Sequence, residues 1–360
     1  MVTRPAAERA ALARIRALSA TRAPLPDLFG QLNDILAGVV GFDAGCWHGT
    51  DPATGFLTST VAEHLDPARF ERAAYLELWT PEPLTFARLR QSGRPADSLH
   101  RVTGGRPGTS GRFRELLAAD GFGDELRIVF DTPTGRWGAA AFMRAAGRGP
   151  FTAPELGLVE RLSPHIGALL GRSYRPVPGG PDTGAPEPAV AVLGPTGRLV
   201  SADPRAEALI ARLAEALPAA SGVPTGFIVV AEHARGAAAT GRAGVPSRSR
   251  IRGSDGRWLT LHASLLDGRP DGHVAILVTP ASPAEALPVA LMSYGLTGRE
   301  QEVALHVARG RTTRDIAARL TLSPLTVQDH LKAIFTKTGV RSRRELLALL
   351  MAGALADARP

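Results

Sequence analysis

The chain reads as a multidomain protein, two α+β units followed by an all-α four-helix unit, and three observations carry that reading. Its 360 residues exceed one ordinary domain. The stretch Arg175 to Pro188 (RPVPGGPDTGAPEP) holds five prolines and three glycines, a linker composition. From Leu296 onward, mixed strand and helix patterns give way to a close series of helix starts. The expected boundaries are 1–174, a linker at 175–188, 189–280, a second join at 281–294 and a final unit at 295–356. The second join is weaker, because prolines 280, 283 and 288 interrupt a short helical pattern.

In the first unit, helical patterns at Ala6 to Leu18 and Leu25 to Val40 precede strand-like runs at Ala44 to Gly49 and Phe56 to Ala62, joined by the turn Asp51 to Gly55. Helices are expected at about 66–80, 82–92 and 110–119. Glu125 to Phe130 and Arg136 to Arg144 form a hairpin pattern across Asp131 to Gly135, and a helix closes the unit from Thr152 to about Leu170. The second unit opens with strands at Val190 to Leu193 and Arg198 to Val200 and a helix at about 204–216. It ends in a meander of Ser249 to Arg252, the turn Ser254 to Gly256, Trp258 to Leu265 and His273 to Val278. No element is assigned between 217 and 248, and no internal repeat is evident.

Composition narrows the function classes. With 44% hydrophobic and 21% charged residues the chain belongs among folded proteins rather than disordered ones. The single cysteine, Cys46, excludes an intrachain disulfide framework and a multi-cysteine metal site, and fits a reducing compartment. Met1 to Ala20 carries Arg4, Arg9, Arg14 and Arg16 and lacks the continuous apolar run of a signal peptide. No stretch approaches the roughly 18 apolar residues of a membrane span. A cytoplasmic protein without a membrane partner is expected.

Charge is unevenly spread. Of the formal +8, residues 296–354 supply +5, with ten Lys and Arg against five Asp and Glu. A local surplus on a small unit is the footprint of a phosphate-binding surface, and equally of a solvated basic face. Four capping signatures set its helices: Thr297-x-x-Glu300, Thr312-x-x-Asp315, Ser323-x-x-Thr326 followed by Pro324 at the first helical position, and Ser342-x-x-Glu345. Gly310 ends the first helix and Gly339 the third.

On the third helix, Val327, Leu331, Ile334, Phe335 and Thr338 fall on one apolar stripe. The opposite face presents Leu325, Asp329, Lys332, Ala333 and Thr336, flanked by Gln328 and His330. Such a face is slim enough for a DNA major groove, with Lys337, Arg341 and Arg343 following for phosphates. A helical bundle that docks on another protein would show the same caps and stripe, which makes a protein-binding adaptor the alternative function. His330 can equally be a core histidine and Gln328 ordinary surface. Asp329 is repelled by DNA unless it accepts from cytosine N4 or pairs with Lys332.

Residues 296–349 closely resemble the four-helix DNA-binding domain of LuxR-type (LuxR/FixJ) regulators. The shared pattern comprises Leu-Thr-x-Arg-Glu at 296–300, Gly310, Ile316-Ala317, Leu320, Ser323, Thr326-Val327, His330, Phe335, Lys337, Gly339-Val340 and Arg343. The resemblance implies a sequence-specific transcription regulator in which the helix from Ser323 reads DNA. Gln328, Asp329 and Lys332 are then the base-reading candidates. Thr312, Thr313, Ser323, Thr326, His330, Lys337, Arg341 and Arg343 are candidates for phosphate contact and positioning. It also implies a homodimer on double-stranded DNA, which Leu346, Leu349 and Leu350 could serve unless they are intrachain core.

Lys332 and Lys337 are the chain's only lysines, so nothing upstream supplies a P-loop lysine, and Gly105, Gly108 and Gly111 form only a loose glycine-rich loop. The chain does not open with the βα alternation and acidic cluster of a phosphoacceptor receiver. Residues of about 10 to 172 resemble instead a GAF domain of the kind that precedes LuxR-type domains in high-GC actinobacterial proteins. Phe42 to Trp47, Asp51 to Gly55, Gly123 to Arg127 and Trp137-Gly138 carry that resemblance. Residues 189–279 are PAS-like. The full expectation is therefore α+β GAF/PAS-like sensory domains followed by an all-α four-helix LuxR-type helix-turn-helix domain. A pocket over each sheet for an unidentified small-molecule ligand is implied, its residues unassigned.

No catalytic residue, metal site or cofactor is expected. HExxH, Gly-x-Ser-x-Gly and paired-carboxylate motifs are missing, and one cysteine cannot sustain the sulfoxide reduction of some GAF-fold proteins. Cys46 and His48, two apart on a strand, share a face and could contact a metal or haem. Packing is the better reading, because His48 abuts a turn, no third ligand is evident, and apolar neighbours favour an inert thiol.

Overall fold

The computed structural model describes residues 4–19, 23–66, 69–175, 187–216, 222–241, 247–253 and 257–352. Most of the proline-rich linker, 176–186, and the turn expected at Ser254 to Gly256 lie outside the described residues.

The first unit is an antiparallel five-stranded sheet of order β2-β1-β5-β4-β3, built from β1 (Ala44–Thr50), β2 (Leu57–Glu63), β3 (Ala96–Ser98), β4 (Phe122–Thr132) and β5 (Gly135–Ala145). Helices α1 (Arg4–Leu18), α2 (Leu25–Ala37) and α6 (Ala153–Ser173) cover one face, over a core that includes Ile15, Phe29, Leu32, Trp47, Phe130, Trp137 and Ile166. The other face packs Cys46, Ala141 and Met143 under α4 (Phe86–Gln91), α5 (Leu99–Val102) and Leu117. Every residue of β1 is buried, which is why AGCWHGT shows no apolar/polar alternation: a strand covered on both faces has no reason to alternate. On α6, Gly167 lets the helix close onto β4, since a Cβ there would stand 2.8 Å from the Phe130 carbonyl oxygen.

The sequence placed the main strands and helices of this unit correctly but missed β3 and α5. The helix expected at 110–119 is a short π turn, Phe113–Leu117, running into a 3₁₀ turn.

The second unit repeats the same antiparallel order, β7-β6-β10-β9-β8, over β6 (Ala189–Leu193), β7 (Leu199–Ala202), β8 (Ser247–Arg252), β9 (Trp258–Leu265) and β10 (Val274–Pro280). Between α7 (Pro204–Ala216) and β8 lies α8 (Thr225–Ala239), where the sequence showed no element. From Gly226 to Ala237 α8 is buried except at His233, because it lies between its own sheet and β2 and α3 (Phe70–Trp79) of the first unit. A helix buried on nearly every side carries no 3.6-residue period to read.

The two units are joined by specific bonds. Asp51, 1% exposed, receives Nη2 and Nε of the Arg250 guanidinium at 2.8 and 3.1 Å and the Arg250 amide at 3.0 Å. The Trp79 indole donates to the Glu232 carbonyl at 2.7 Å. The span 281–294 carries α9 (Pro283–Ser293), whose Met292 packs on the first unit's core and whose Leu291 lies in the third unit's core.

The third unit is four helices: α10 (Gly298–Ala308), α11 (Thr313–Leu320), α12 (Pro324–Thr338) and α13 (Arg343–Ala352). Their common core holds Leu296, Val303, Val307, Ile316, Val327, Leu331, Ile334, Leu346 and Leu350. Leu346 and Leu350 are thus intrachain core, and Leu349 is half-buried. No helix among the described residues is long and apolar enough to cross a membrane.

Candidate nucleic-acid interface

Each helix of the third unit starts where its cap dictates. Thr297 Oγ1 accepts from the Glu300 amide, and the Glu300 carboxylate receives the Thr297 amide at 2.7 Å. Thr312 and Asp315 close the same reciprocal pair at 3.2 and 3.1 Å. Ser323 Oγ accepts from the Thr326 amide at 3.0 Å. At the fourth start Ser342 Oγ accepts from the Glu345 amide, but the carboxylate reaches one residue further back, to the Arg341 amide at 2.9 Å.

Between α11 and α12 the chain reverses through Thr321, a non-glycine residue in the left-handed region at φ 54°, and the Leu322 amide returns to the Ala317 carbonyl. Two helices joined by so short a turn are the helix-turn-helix geometry. Gly310 and Gly339 supply the positive φ values that end α10 and α12.

The structure sorts α12 as its periodicity indicates. Val327, Leu331 and Ile334 are buried, with Phe335 and Thr338 half-buried beside them. Gln328, Asp329 and Lys332 share the open face, and Leu325 is 66% exposed in the first turn. Asp329 and Lys332 pair loosely at 3.6 Å with both side chains well exposed, a contact worth little in water and easily surrendered. His330 is half-buried on the flank.

The phosphate candidates divide. Thr312 and Thr313 stand at the N-terminal end of α11, and Ser323 and Thr326 at that of α12, where helix amides favour anions. Thr326 Oγ1 and Ser323 Oγ are 2.8 Å apart. Arg341 is exposed. Lys337 and Arg343 have partners inside the fold instead. Lys337 Nζ lies 2.9 and 2.7 Å from the two oxygens of buried Glu300, tying α12 to α10, and Arg343 donates to the Arg311 carbonyl. Burial pushes the Glu300 carboxyl up, but the Lys337 ammonium and the Thr297 amide outweigh it and hold it below the ordinary carboxylate range.

Sequence reasoning did not single out the arginines near the α10–α11 turn. His306 accepts from Arg311 at 2.8 Å, and its pKa is lowered first by burial and then by the charges of Arg311, Arg309 and Arg319. The signal was present in the segment's basic surplus, but composition does not say which cations gather.

Among the described residues no three His, Cys, Asp or Glu side chains gather to hold a metal. Cys46 and His48 do share a face. Cys46 Sγ is 3.1 Å from His48 Nε2, and His48 Nδ1 is 2.9 Å from Thr60 Oγ1. Burial, with help from Glu125, pushes the Cys46 thiol up to about 12.

Residues 295–350 match the family model described as bacterial regulatory proteins, luxR family. No curated protein is significantly similar to the chain. Among solved structures, Escherichia coli SdiA overlaps 98% of each chain at 12% identity and a TM-score of 0.33. A phage VqmA–DPO complex overlaps 48% of this chain and 86% of its own at 19% identity and a TM-score of 0.20. The Vibrio cholerae VqmA dimer without target DNA overlaps 46% and 82% at 16% identity and a TM-score of 0.18. The family match alone identifies the C-terminal unit.

Proposed function

We propose, from the premise of a luxR-family helix-turn-helix domain at residues 295–350, that the chain is a sequence-specific, DNA-binding transcription regulator controlled through its two front units. The observation that carries this reading is the open face of α12. It presents Gln328, Asp329 and Lys332 beside the capped N-termini of α11 and α12, in a unit that holds most of the chain's positive surplus. Bases are read by the α12 face, and Ser323, Thr326, Thr312, Thr313 and Arg341 hold phosphates. Lys337 acts mainly by fixing α12 to α10, because its charge is already paired with Glu300, whereas Arg343 anchors α13 through a neutral carbonyl and keeps its charge for a phosphate.

The front units are GAF-like and PAS-like sensory domains that set DNA affinity in response to a small molecule, and the regulator works as a homodimer on a two-fold operator in the cytoplasm. The test is titration of the full-length chain with duplex from its own upstream region and with random duplex, across a salt series. Selective binding with a steep salt slope is expected. Equal, weak and salt-insensitive binding to both duplexes would refute the reading and leave a protein-binding adaptor.

A further inference from the structure

A cavity of about 110 Å³ lies where the first unit's sheet faces the second unit. Leu57, Phe70, Phe86, Leu117 and Met143 of the first unit wall it, and Thr225, Ile228 and Val229 of α8 close it from the second. Its lining also holds the deeply buried polar residues His48, Thr60, Arg112 and Glu125 and half-buried Glu77, with Asp66, Arg69 and Asp120 toward solvent.

The polar side carries a net negative charge. Glu77 receives Arg112 at 3.0 Å and also Arg127, whose Nε lies 3.1 Å from Glu125 Oε2. Glu82 accepts from the Arg112 amide at 2.9 Å. Three carboxylates thus face two guanidiniums, which leaves no surplus positive charge to attract an anion. His48 beside them is neutral, its pKa pushed down to about 3 by burial and then by Arg127 and Arg112. Three atoms of this cluster, Arg112 Nε, Arg127 Nε and Glu125 Oε2, are buried without a hydrogen bond of good geometry; Arg127 Nε and Glu125 Oε2 still face each other at 3.1 Å, whereas Arg112 Nε, on a residue 6% exposed, has Glu125 Oε2 only at 4.0 Å. Buried polar groups are normally satisfied, so a site that leaves the Arg112 donor open is short of an acceptor.

We infer that this cavity is a ligand site shared by the two units, taking a neutral, ring-sized, mostly apolar molecule whose one polar head accepts from Arg112, as a carboxamide carbonyl does. At about 110 Å³, below the roughly 150 Å³ of an apolar cavity that accepts benzene, the space limits an occupant to a single ring. Apolar walls take the ring, and the Arg112–Glu125 side takes the head. Because α8 supplies the lid, an occupant touches both units and biases how they dock, which is what signal control requires. The inference deepens the signal-control reading above, but occupancy is measurable without DNA.

The test is calorimetric titration of the full-length chain, free of DNA, with benzamide, toluene and benzoate. One benzamide per chain is expected, bound at least tenfold more tightly than toluene or benzoate. Ala141→Leu, which adds bulk at the lining, should abolish that binding. Val229→Ala, which trims the lid, should weaken it several-fold in a protein that is modestly less stable but still unfolds cooperatively. Failure of wild-type protein to bind benzamide, tighter binding of benzoate, or unchanged affinity in Val229→Ala would each overturn the assignment. Selective DNA binding without benzamide binding would remove the site and spare the regulator. Benzamide binding that leaves DNA affinity unmoved would keep the site and sink the control.

Discussion

Lys332 and Lys337 are the only two lysines in the chain, five residues apart on one helix, yet the fold gives them different work. Lys332 stands free on the open face of α12 with only a loose contact to Asp329, while Lys337 is spent on buried Glu300. Lys332→Ala is therefore expected to cost about 1–3 kcal/mol of operator binding and to relax sequence preference at one base position, with no change in thermal stability. Competition binding against single-base operator variants checks it, and an unaltered preference would remove Lys332 from readout. Glu300 behaves in the opposite way. Its folded pKa lies below the ordinary carboxylate value of 4.5, so its pairing stabilises the unit above that pH and is lost as pH falls through the folded value. Glu300→Gln should cost about 1–3 kcal/mol at neutral pH and flatten the loss of stability below about pH 4.5, as read by denaturant unfolding at several pH values.

At the scale of elements, what could be read depended on how each element is buried. Helices of the third unit lie at a surface, so their apolar stripes, reciprocal caps and terminal glycines all survive as local patterns: Thr297 with Glu300, Thr312 with Asp315, Ser323 before Pro324, Gly339 after Thr338. Gly339 sits at φ 76°, and Gly339→Ala should cost about 1–2 kcal/mol and lower the melting temperature of the third unit, because a Cβ is disfavoured there. An unchanged melting curve would mean that α12 ends in another way in solution. Helix α8 is the converse. Buried against two units, its run Phe227-Ile-Val-Val-Ala231 has no polar face, and β-branched residues in a short apolar run read as readily as strand as helix. Strand β3 was missed because its three residues are too few to carry a period.

Across the whole molecule, α8 and α9 tie the blocks together. The pair Asp51–Arg250 links the first unit's β1–β2 turn to β8 of the second, and Gly236 exists for the same contact, since a Cβ there would overlap the Trp79 ring. Asp51→Ala should leave Arg250 as an unpaired, largely buried charge and cost about 3–5 kcal/mol, splitting one cooperative unfolding transition of the front units into two by scanning calorimetry. A single unshifted transition would show that the units do not depend on this pair. Legible along the chain were the four capped helices, the α12 face with Gln328, Asp329 and Lys332, and the principal strands of both sheets. All of these follow from spacing along the chain and from which residue types suit a cap, a groove or a core. Only the tertiary structure decided that Lys337 and Arg343 are engaged within the fold, that α8 exists, and that Arg112, Glu125 and Val229 meet around one cavity. Those facts depend on residues distant in sequence arriving at the same place, and no local pattern records such an arrival.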